Sequence, residues 1–223
     1  MVRLVLFDID GTLITTGGAG IKAFAHVFRT QFAIENATAG LSFAGRTDTG
    51  LVRQLFELHG IPPEPENFDL FFSTYVHWLD EMLRTCKGEV CPGVIETIEG
   101  IRKLPGRPIL GLLTGNIRLG AELKLRHYKL WHYFKMGAFA DDHEERNCIS
   151  AIAHERGRVQ EKGPLLGDQI IVIGDTPLDI ECGEAIEARV VAVATGNFTV
   201  SELNKHRPWL TIPDLTHLDL KTL

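Results

Sequence analysis

The sequence predicts an α/β fold with a mainly parallel sheet, into which a block of helices is inserted near the N-terminal end. Runs of valine, leucine and isoleucine recur along the chain, and most of them end in small polar or acidic residues. Such runs are typical of strands that are buried on both faces of a parallel sheet. Three helical patterns follow the first run before the next strand pattern appears, which interrupts the alternation of strands and helices.

Five segments carry the strand pattern, and the first of them, which ends in two aspartates, is expected at the centre of the sheet. They are residues 2–7, 108–113, 169–174, 190–194 and 209–212. The helices of this part of the chain are predicted to begin near residues 94 and 177 and to span residues 117–126, 144–156 and 200–206. Proline near the first turn supports the helices at 94 and 177. Residues 130–134 are predicted to form an irregular aromatic turn.

The inserted block contains predicted helices at residues 21–32, 51–59 and 68–84. Small, flexible residues precede the first helix, and prolines end the second. We assign residues 15–87 to an inserted helical domain, and residues 1–14 and 88–223 to the core. The alternative is that these helices are ordinary crossovers that pack on the sheet.

The length, charge and composition of the chain limit its domain organisation, its partners and its location. A chain of 223 residues can hold one substantial core, or a core with a smaller inserted domain. The formal net charge of −6 argues against nucleic acid or an anionic membrane as the main partner. No apolar run approaches the about 20 residues of a membrane helix, and aspartates interrupt the N-terminal run, so no signal peptide is expected. The four cysteines lack CxxC spacing and are expected to be reduced thiols of a cytoplasmic protein.

Asp8 and Asp10 follow the first predicted strand. Side chains on a strand repeat with a period of two, so both carboxyl groups point the same way. Two such groups do not readily stay ionised together without a cation beside them. Gly11 allows the backbone to turn sharply at this point. The alternative interpretation is an ordinary strand that ends in an Asp-Gly turn.

Three further strand ends carry polar groups, at Thr114, Asp175 and Thr195-Gly196. The carboxyl ends of parallel strands lie at one edge of the sheet, so we expect these groups to meet the first pair of aspartates. Carboxylates suit a hard cation such as Mg²⁺, and Asp8 and Asp175 are the candidate ligands. Asp179 lies one helical turn after Asp175 and is expected to orient the cation or its water molecules.

Residues 7–13, Phe-Asp-Ile-Asp-Gly-Thr-Leu, resemble the first motif of the haloacid dehalogenase superfamily, in the form that its phosphatases carry. The resemblance implies a Rossmann-like three-layer core with a small helical cap, Mg²⁺ and an aspartyl-phosphate intermediate. It implies that Asp8 is the nucleophile, and that Asp10 is the general acid and base and a metal ligand through its backbone carbonyl. Dehalogenases of the superfamily lack the second aspartate, so Asp10 favours phosphoryl transfer.

The other motifs of the superfamily have matches further along the chain. Residues 174–179, Gly-Asp-Thr-Pro-Leu-Asp, match the fourth motif, with Asp175 as the metal ligand. Thr114 matches the second motif, whose hydroxyl binds the transferring phosphoryl group. Substrate contacts are expected from Ile9 and Gly115, through their backbone N–H groups, and from Asn116.

The third motif is a single basic residue, most often lysine, and here the sequence departs from the common pattern. No lysine between the second and fourth motifs, Lys124 included, is well placed at the start of the expected helix. Arg146 is placed there, and arginine offers several donors to phosphate oxygens. A surface arginine in a charged helix start is the alternative, and Lys162 is the reserve candidate.

The resemblance to this superfamily implies that residues of the inserted cap recognise the leaving group of the substrate. The loop at residues 45–47 is expected to lie over the site, with Arg46 and Thr47 as substrate contacts and Arg46 paired with a carboxylate or a second phosphate. Lys22 is a further candidate cation, although its position is more typical of a solvated helix surface.

The overall layout resembles the phosphoglycolate phosphatase branch. We therefore expect an Mg²⁺-dependent phosphatase that acts on a small phosphorylated metabolite, as a monomer or homodimer, without nucleic acid or membrane partners. A phosphomutase of the β-phosphoglucomutase kind and a non-catalytic binding module on the same fold are the alternatives.

Overall fold

Eight strands and eight α-helices make up the protein in the computed structural model, which describes residues 1–223. The strands are β1 (Leu4–Phe7), β2 (Ile14–Thr15), β3 (Glu89–Val90), β4 (Ile109–Leu113), β5 (Met136–Ala138), β6 (Ile170–Gly174), β7 (Arg189–Val193) and β8 (Leu210–Ile212). The helices are α1 (Ala19–Phe32), α2 (Asp48–Leu58), α3 (Pro65–Thr85), α4 (Val94–Ile101), α5 (Arg118–His127), α6 (Arg146–Glu161), α7 (Pro177–Glu184) and α8 (Val200–Asn204).

Six of the strands form one sheet in the order β5-β4-β1-β6-β7-β8, and every neighbouring pair is parallel. Phe7, the last residue of β1, is level with Leu112 of β4 and with Ile173 of β6. The three central strands therefore end together, and the residues that follow them share one edge of the sheet.

The sheet has a hydrophobic layer on each face. Val5 and Phe7 of β1 belong to a cluster that includes Ile98 of α4, whereas Leu4 and Leu6 belong to a second cluster with α6, α7 and α8. This division follows from the alternation of side chains along a strand. The prediction of a three-layer α/β core is confirmed.

Several local predictions differ from the structure. Strand β5 was not predicted, because Met-Gly-Ala lacks a β-branched run, and its pairing with β4 holds it at the sheet edge. Helix α6 begins two residues later than predicted, at Arg146, and ends five residues later. The aromatic turn is confirmed as a short 3₁₀ turn at Trp131–Tyr133. None of the helices combines the length and the apolar character that a transmembrane segment requires.

A third hydrophobic cluster of 16 buried residues is built mainly by helices α1, α2 and α3, and it also includes Ala37, Ile117 and Ala140. Phe71 is fully buried in it, and its ring centroid lies 4.9 Å from that of Phe24 and 5.2 Å from that of Phe28. Strands β2 and β3, which are antiparallel, bracket these helices, so the chain leaves the core and returns to it side by side. The assignment of residues 15–87 to a separate cap domain stays a prediction.

Replacing Phe71 with alanine should lower the free energy of unfolding by about 3 to 5 kcal/mol, because it leaves a cavity among packed rings. Urea unfolding followed by circular dichroism measures this value. Leu70→Ala is the matched control, since Leu70 is 40% exposed on the same helix, and it should change stability by about 0.5 kcal/mol or less. Equal effects of the two substitutions would contradict the packing described for this cluster.

Candidate active site

The carboxyl ends of β4, β1 and β6 bring together the polar side chains that the sequence singled out. Asp8 follows β1, Thr114 follows β4 and Asp175 follows β6. All three residues are buried. Because β1 lies between the other two strands, Asp8 occupies the centre of the group.

Three buried carboxyl groups crowd this edge of the sheet. Oxygens of Asp8, Asp175 and Asp179 all lie within 4.8 Å of one another. Burial raises the pKa of Asp8 to about 7 and that of Asp175 well above its ordinary value, and the charge of Asp179 raises the pKa of both further. The guanidinium of Arg146 contacts this group and opposes the shift at Asp8. Three acids beside one base leave a deficit of positive charge, which favours a bound cation.

Asp179 already has protein partners for both of its carboxyl oxygens. Its Oδ1 accepts a hydrogen bond from Arg146, and its Oδ2 accepts bonds from the N–H (3.0 Å) and the hydroxyl (2.7 Å) of Thr176. The same carboxyl group also closes the N-terminal capping box of α7. Asp179 therefore anchors α7 and Arg146, which fits the predicted orienting role better than a ligand role.

The carboxyl group of Asp175 is held by the Thr12 hydroxyl and by two glycines that approach it closely. Its Oδ1 accepts a hydrogen bond of 3.1 Å from the Thr12 hydroxyl. Gly11, at φ +85°, and Gly196 approach the other oxygen so closely that a Cβ on either residue would lie 2.4 Å or 1.7 Å from Asp175 Oδ2. Only glycine fits at these two positions, so the loops after β1 and β7 form a cradle for this carboxyl group.

The donor set fits Mg²⁺. Asp8 and Asp175 offer carboxylate oxygens, which this cation prefers. The backbone carbonyl of Asp10, which the family resemblance implies as a third ligand, accepts no hydrogen bond within the protein. Two crowded carboxylates and an unpaired backbone carbonyl are oxygen donors of the kind that a divalent cation takes as ligands.

Arg146 is the first residue of α6 and is buried. Its Nη1 donates a 3.0 Å hydrogen bond to the carbonyl of Gly45, and its Nη2 pairs with Asp179 and lies 3.8 Å from Asp8 Oδ1. Its Nε is buried without a hydrogen-bond partner in the protein, and the side chain of Cys182 also interacts with the guanidinium. The reserve candidate, Lys162, is exposed at the opposite end of α6 and does not reach the site.

Free backbone donors complete the surroundings of Asp8. The N–H groups of Ile9, Asp10 and Gly115 make no hydrogen bond within the protein. Of these, Ile9 and Gly115 were predicted as substrate contacts, and Asp10 was not. Unpaired N–H groups in a buried loop are costly unless a ligand accepts from them, so this edge is suited to binding an oxyanion.

Lys124 belongs to this site, although the sequence analysis set it aside. It is buried on α5, and its Nζ lies 2.6 Å from Asp10 Oδ2 and 2.6 Å from Asn116 Oδ1. Asn116 donates in turn from Nδ2 to Asp10 Oδ2 (2.8 Å) and to the Thr114 hydroxyl oxygen (2.9 Å). Asn116 was predicted to contact substrate, and in the structure its amide is engaged with these three side chains.

A helical pattern in the sequence carried a signal for Lys124. Ile117, Ala121 and Lys124 recur at the spacing of one buried face. A lysine on such a face needs a partner, and side chains on a helix lean toward its N-terminus. That end of α5 adjoins Asn116, so a lysine in its second turn can reach the sheet edge. The third motif of the family directs attention to the start of the helix predicted at residues 144–156, so it did not indicate Lys124, which lies on the helix before it.

The start of α2 and the residues just before it dock directly on the loop after β4. The N–H of Asp48 donates to the Gly115 carbonyl (2.7 Å), and Asp48 Oδ2 accepts from the N–H of Ile117 (2.9 Å). Gly115 also permits close approach, since a Cβ there would lie 2.1 Å from the Arg46 carbonyl oxygen. The inserted helices thus sit in contact with the carboxyl edge of the sheet.

The three predicted binding residues of the inserted helices fall in different places. Arg46 lines the cavity at the site. Thr47 does not line it: its hydroxyl donates to the Glu144 carbonyl (2.8 Å) and accepts from the N–H of Gly50, which caps α2. A substrate contact by the Thr47 side chain is therefore not supported, because both hydrogen-bonding functions of its hydroxyl are used. Lys22 is exposed, and its Nζ lies 3.3 Å from the sulfur of Cys86, away from the cavity.

A cavity of about 380 Å³ separates the sheet edge from the inserted helices. Its core side is polar, and its other side is largely apolar. The polar lining includes Asp10, Asn116, Lys124 and Asp175, and the apolar and aromatic lining includes Phe24, Phe43, Leu51 and Tyr75. Arg46 adds a positive charge on the side of the inserted helices.

Fold and site together define a class: α/β enzymes whose acidic site lies at the carboxyl edge of a parallel sheet, beneath inserted helices. Comparison with known proteins makes the assignment specific. The family described as haloacid dehalogenase-like hydrolase matches residues 5–193, and the chain belongs to this family.

Individual relatives agree with the family. The chain is 25% identical to the probable phosphatase IndB of Dickeya dadantii (strain 3937) over 222 residues, which cover 95% of this chain and 90% of that protein. It is 26% identical to a phosphoglycolate phosphatase of Rhodobacter capsulatus, over 82% of this chain and 80% of that protein. The crystal structure of a predicted phosphatase from Clostridium acetobutylicum shares the fold, with a TM-score of 0.74 at 17% identity over 100% of this chain and 98% of that one.

Asp48, the first residue of α2, makes the stability of the folded protein depend on pH in a way that can be measured. Burial raises the pKa of its carboxyl group to about 7, against the opposing effects of Lys124 and of the Ile117 N–H. The unfolded chain releases this proton near pH 4, so between about pH 4 and pH 7 the folded state holds a proton that the unfolded state has lost. The contribution of Asp48 to stability therefore falls as pH rises through this window.

Asp48→Asn removes this titration and retains an oxygen acceptor for the Ile117 N–H. The free energy of unfolding of Asp48→Asn, minus that of the unsubstituted protein, should be higher at pH 8 than at pH 5 by more than about 1 kcal/mol, since the variant does not lose stability through this window. Urea unfolding at the two pH values measures the difference. Asp69→Asn, at an exposed position of α3, serves as the control, and the same pH trend in both variants would refute the role of burial.

Proposed function

We propose that the protein is an Mg²⁺-dependent phosphatase that hydrolyses a small phosphomonoester of the phosphoglycolate kind through an aspartyl-phosphate on Asp8. The observation that carries the proposal is the buried carboxyl group of Asp8 with its surroundings. An oxygen of a second carboxyl group, Asp175, lies within 4.8 Å of an Asp8 oxygen, and Nη2 of Arg146 lies 3.8 Å from Asp8 Oδ1. Family membership and the names of the two relatives support the same chemistry.

Asp8, Asp175 and the backbone carbonyl of Asp10 are the residues that would hold Mg²⁺. When bound, Mg²⁺ supplies positive charge that offsets the repulsion between the carboxylates and the substrate phosphate. The geometry of the ligand set is suited to this role because two of its members are already held in place: Asp175 by Thr12 and two glycines, and Asp8 by its position after the central strand.

The reaction would have two steps on this chain. In the first, an oxygen of Asp8 forms a bond to phosphorus as the bond to the ester oxygen breaks, and Asp10 donates a proton to the departing alkoxide. In the second, Asp10 takes a proton from a water molecule whose oxygen attacks phosphorus. This releases inorganic phosphate and restores the carboxylate of Asp8.

Donors around Asp8 would stabilise the negative charge on the phosphoryl oxygens. Arg146 offers its guanidinium, whose Nη2 lies 3.8 Å from Asp8 Oδ1. The free N–H groups of Ile9 and Gly115 and the hydroxyl of Thr114 offer further hydrogen bonds. Such donors are effective because they are buried and already oriented before the reaction begins.

The cavity suggests the class of leaving group. Arg46 is the cation on its cap side, and it can pair with a carboxylate or a second phosphate on the alcohol portion of the substrate. The relative from Rhodobacter capsulatus, named a phosphoglycolate phosphatase, supports an alcohol that carries a carboxylate. We also propose a cytoplasmic location, which the four free cysteines support.

Phosphate release from a panel of phosphomonoesters, with 2-phosphoglycolate included, tests the proposal. We expect turnover that requires Mg²⁺, that EDTA abolishes, and that Asp8→Asn lowers by about a thousandfold or more because it removes the nucleophile. We also expect Mg²⁺ to raise the melting temperature of the unsubstituted protein. Asp69→Asn is the control for loss of a carboxylate elsewhere.

Each negative result points to a different alternative. Turnover that persists without Mg²⁺ would refute the metal assignment. Folded protein that isomerises a sugar phosphate and releases no phosphate would indicate a phosphomutase. Folded protein without either activity, and without a response to Mg²⁺, would indicate a binding module.

A further inference from the structure

We infer that Lys124 is a positioning residue for proton transfer: together with Asn116, it holds one oxygen of Asp10 so that the other faces the reacting group. The inference rests on the proposed function, in which Asp10 is the general acid and base. The family resemblance assigned no role to Lys124, and the helical pattern of α5 indicated only that this lysine lies on the buried face.

Three side chains form a closed ring of hydrogen bonds. Lys124 donates from Nζ to Asp10 Oδ2 and to Asn116 Oδ1, at 2.6 Å each, and Asn116 donates from Nδ2 to Asp10 Oδ2 at 2.8 Å. The bond from Asn116 Nδ2 to the hydroxyl oxygen of Thr114 extends the ring to the end of β4. The ammonium can only donate and the carboxyl oxygen must accept, so the orientation of the Asn116 amide between them is determined.

The ring contacts only one of the two carboxyl oxygens of Asp10. Oδ2 accepts both bonds, whereas Oδ1 accepts none within the protein. Asp10 also lines the cavity, and its side chain is 40% exposed against 5% for Lys124. The buried partner therefore fixes the more exposed one. In the protonated acid, Oδ2 is the carbonyl oxygen that accepts both bonds, and Oδ1 carries the proton that passes to the ester oxygen.

A structural role is the competing explanation for a buried lysine here. Asp48, on α2, is the other carboxyl group that interacts with Lys124, and Lys124 could serve only to offset its charge. The two roles predict different kinetics. A residue that orients the acid affects substrates in proportion to their need for a proton, whereas a residue that supports the fold affects all substrates alike.

The test compares two substrates of Lys124→Met. 2-Phosphoglycolate has an aliphatic alkoxide leaving group, which requires a proton. p-Nitrophenyl phosphate releases a stabilised phenolate, which does not. We expect kcat/KM for 2-phosphoglycolate to fall about ten- to a hundredfold, as expected for impaired acid catalysis, and kcat/KM for p-nitrophenyl phosphate to fall less than about threefold. Lys129→Met, an exposed lysine just after α5, should change neither value.

A double substitution shows whether Lys124 acts through Asp10. Asp10→Asn should display the same substrate selectivity, and adding Lys124→Met to it should cause little further loss on 2-phosphoglycolate. If Lys124→Met does not fold, Lys124→Gln is the substitute, because it keeps a neutral hydrogen-bond donor. It should show the same selectivity between the two substrates, with a smaller fall in kcat/KM for 2-phosphoglycolate. Melting temperatures of all variants identify losses that come from instability.

Two outcomes would overturn the inference while leaving the phosphatase intact. One is an equal loss on both substrates, and the other is a full additional loss when Asp10 is already substituted. Unsubstituted protein that turns over neither ester would instead remove the proposed function, and the role of Lys124 with it.

Discussion

The buried excess of negative charge at the end of the central strands is the constraint on which the rest of the site depends. Asp8, Asp175 and Asp179 lie within 4.8 Å of one another, out of contact with bulk water. Carboxylates at that separation require compensating charge. The chain supplies one guanidinium, leaves backbone N–H groups unpaired, and admits two glycines where a side chain would displace Asp175. Each of these features suits the edge to the cation and the phosphate group that the proposed function requires.

Arg146 connects this charge cluster to the inserted helices. One of its nitrogens contacts the loop before α2 at Gly45, another contacts Asp179, and the third has no hydrogen-bond partner in the protein. A lysine has a single nitrogen on a flexible stem and could not hold both contacts in fixed geometry. Arg146 therefore ties the docking of the loop to the acidic edge of the sheet.

Much of the architecture could be predicted because it follows from local patterns. Buried parallel strands have apolar sequences, and three of the six sheet strands, β1, β4 and β6, have a polar residue of the site directly after them. Strand β5 was missed because its three residues have no strand pattern and depend on pairing with β4. Thr47 was assigned to substrate because a loop sequence does not reveal that its hydroxyl caps a helix. Lys124 was missed because its partner lies 114 residues away in the sequence.

The sequence alone determined the chemistry available to this protein: two aspartates after the first strand, a third and a fourth after another, a hydroxyl at a neighbouring strand end, and an arginine near the start of a helix. Those assignments are local, since a strand presents the same side chains wherever it is placed. The tertiary structure decided which groups meet. It separated Thr47 from the cavity, brought Arg46 to it, and set Lys124 against Asp10. Such contacts join distant segments, and only the packing of helices on the sheet brings those segments within hydrogen-bonding distance.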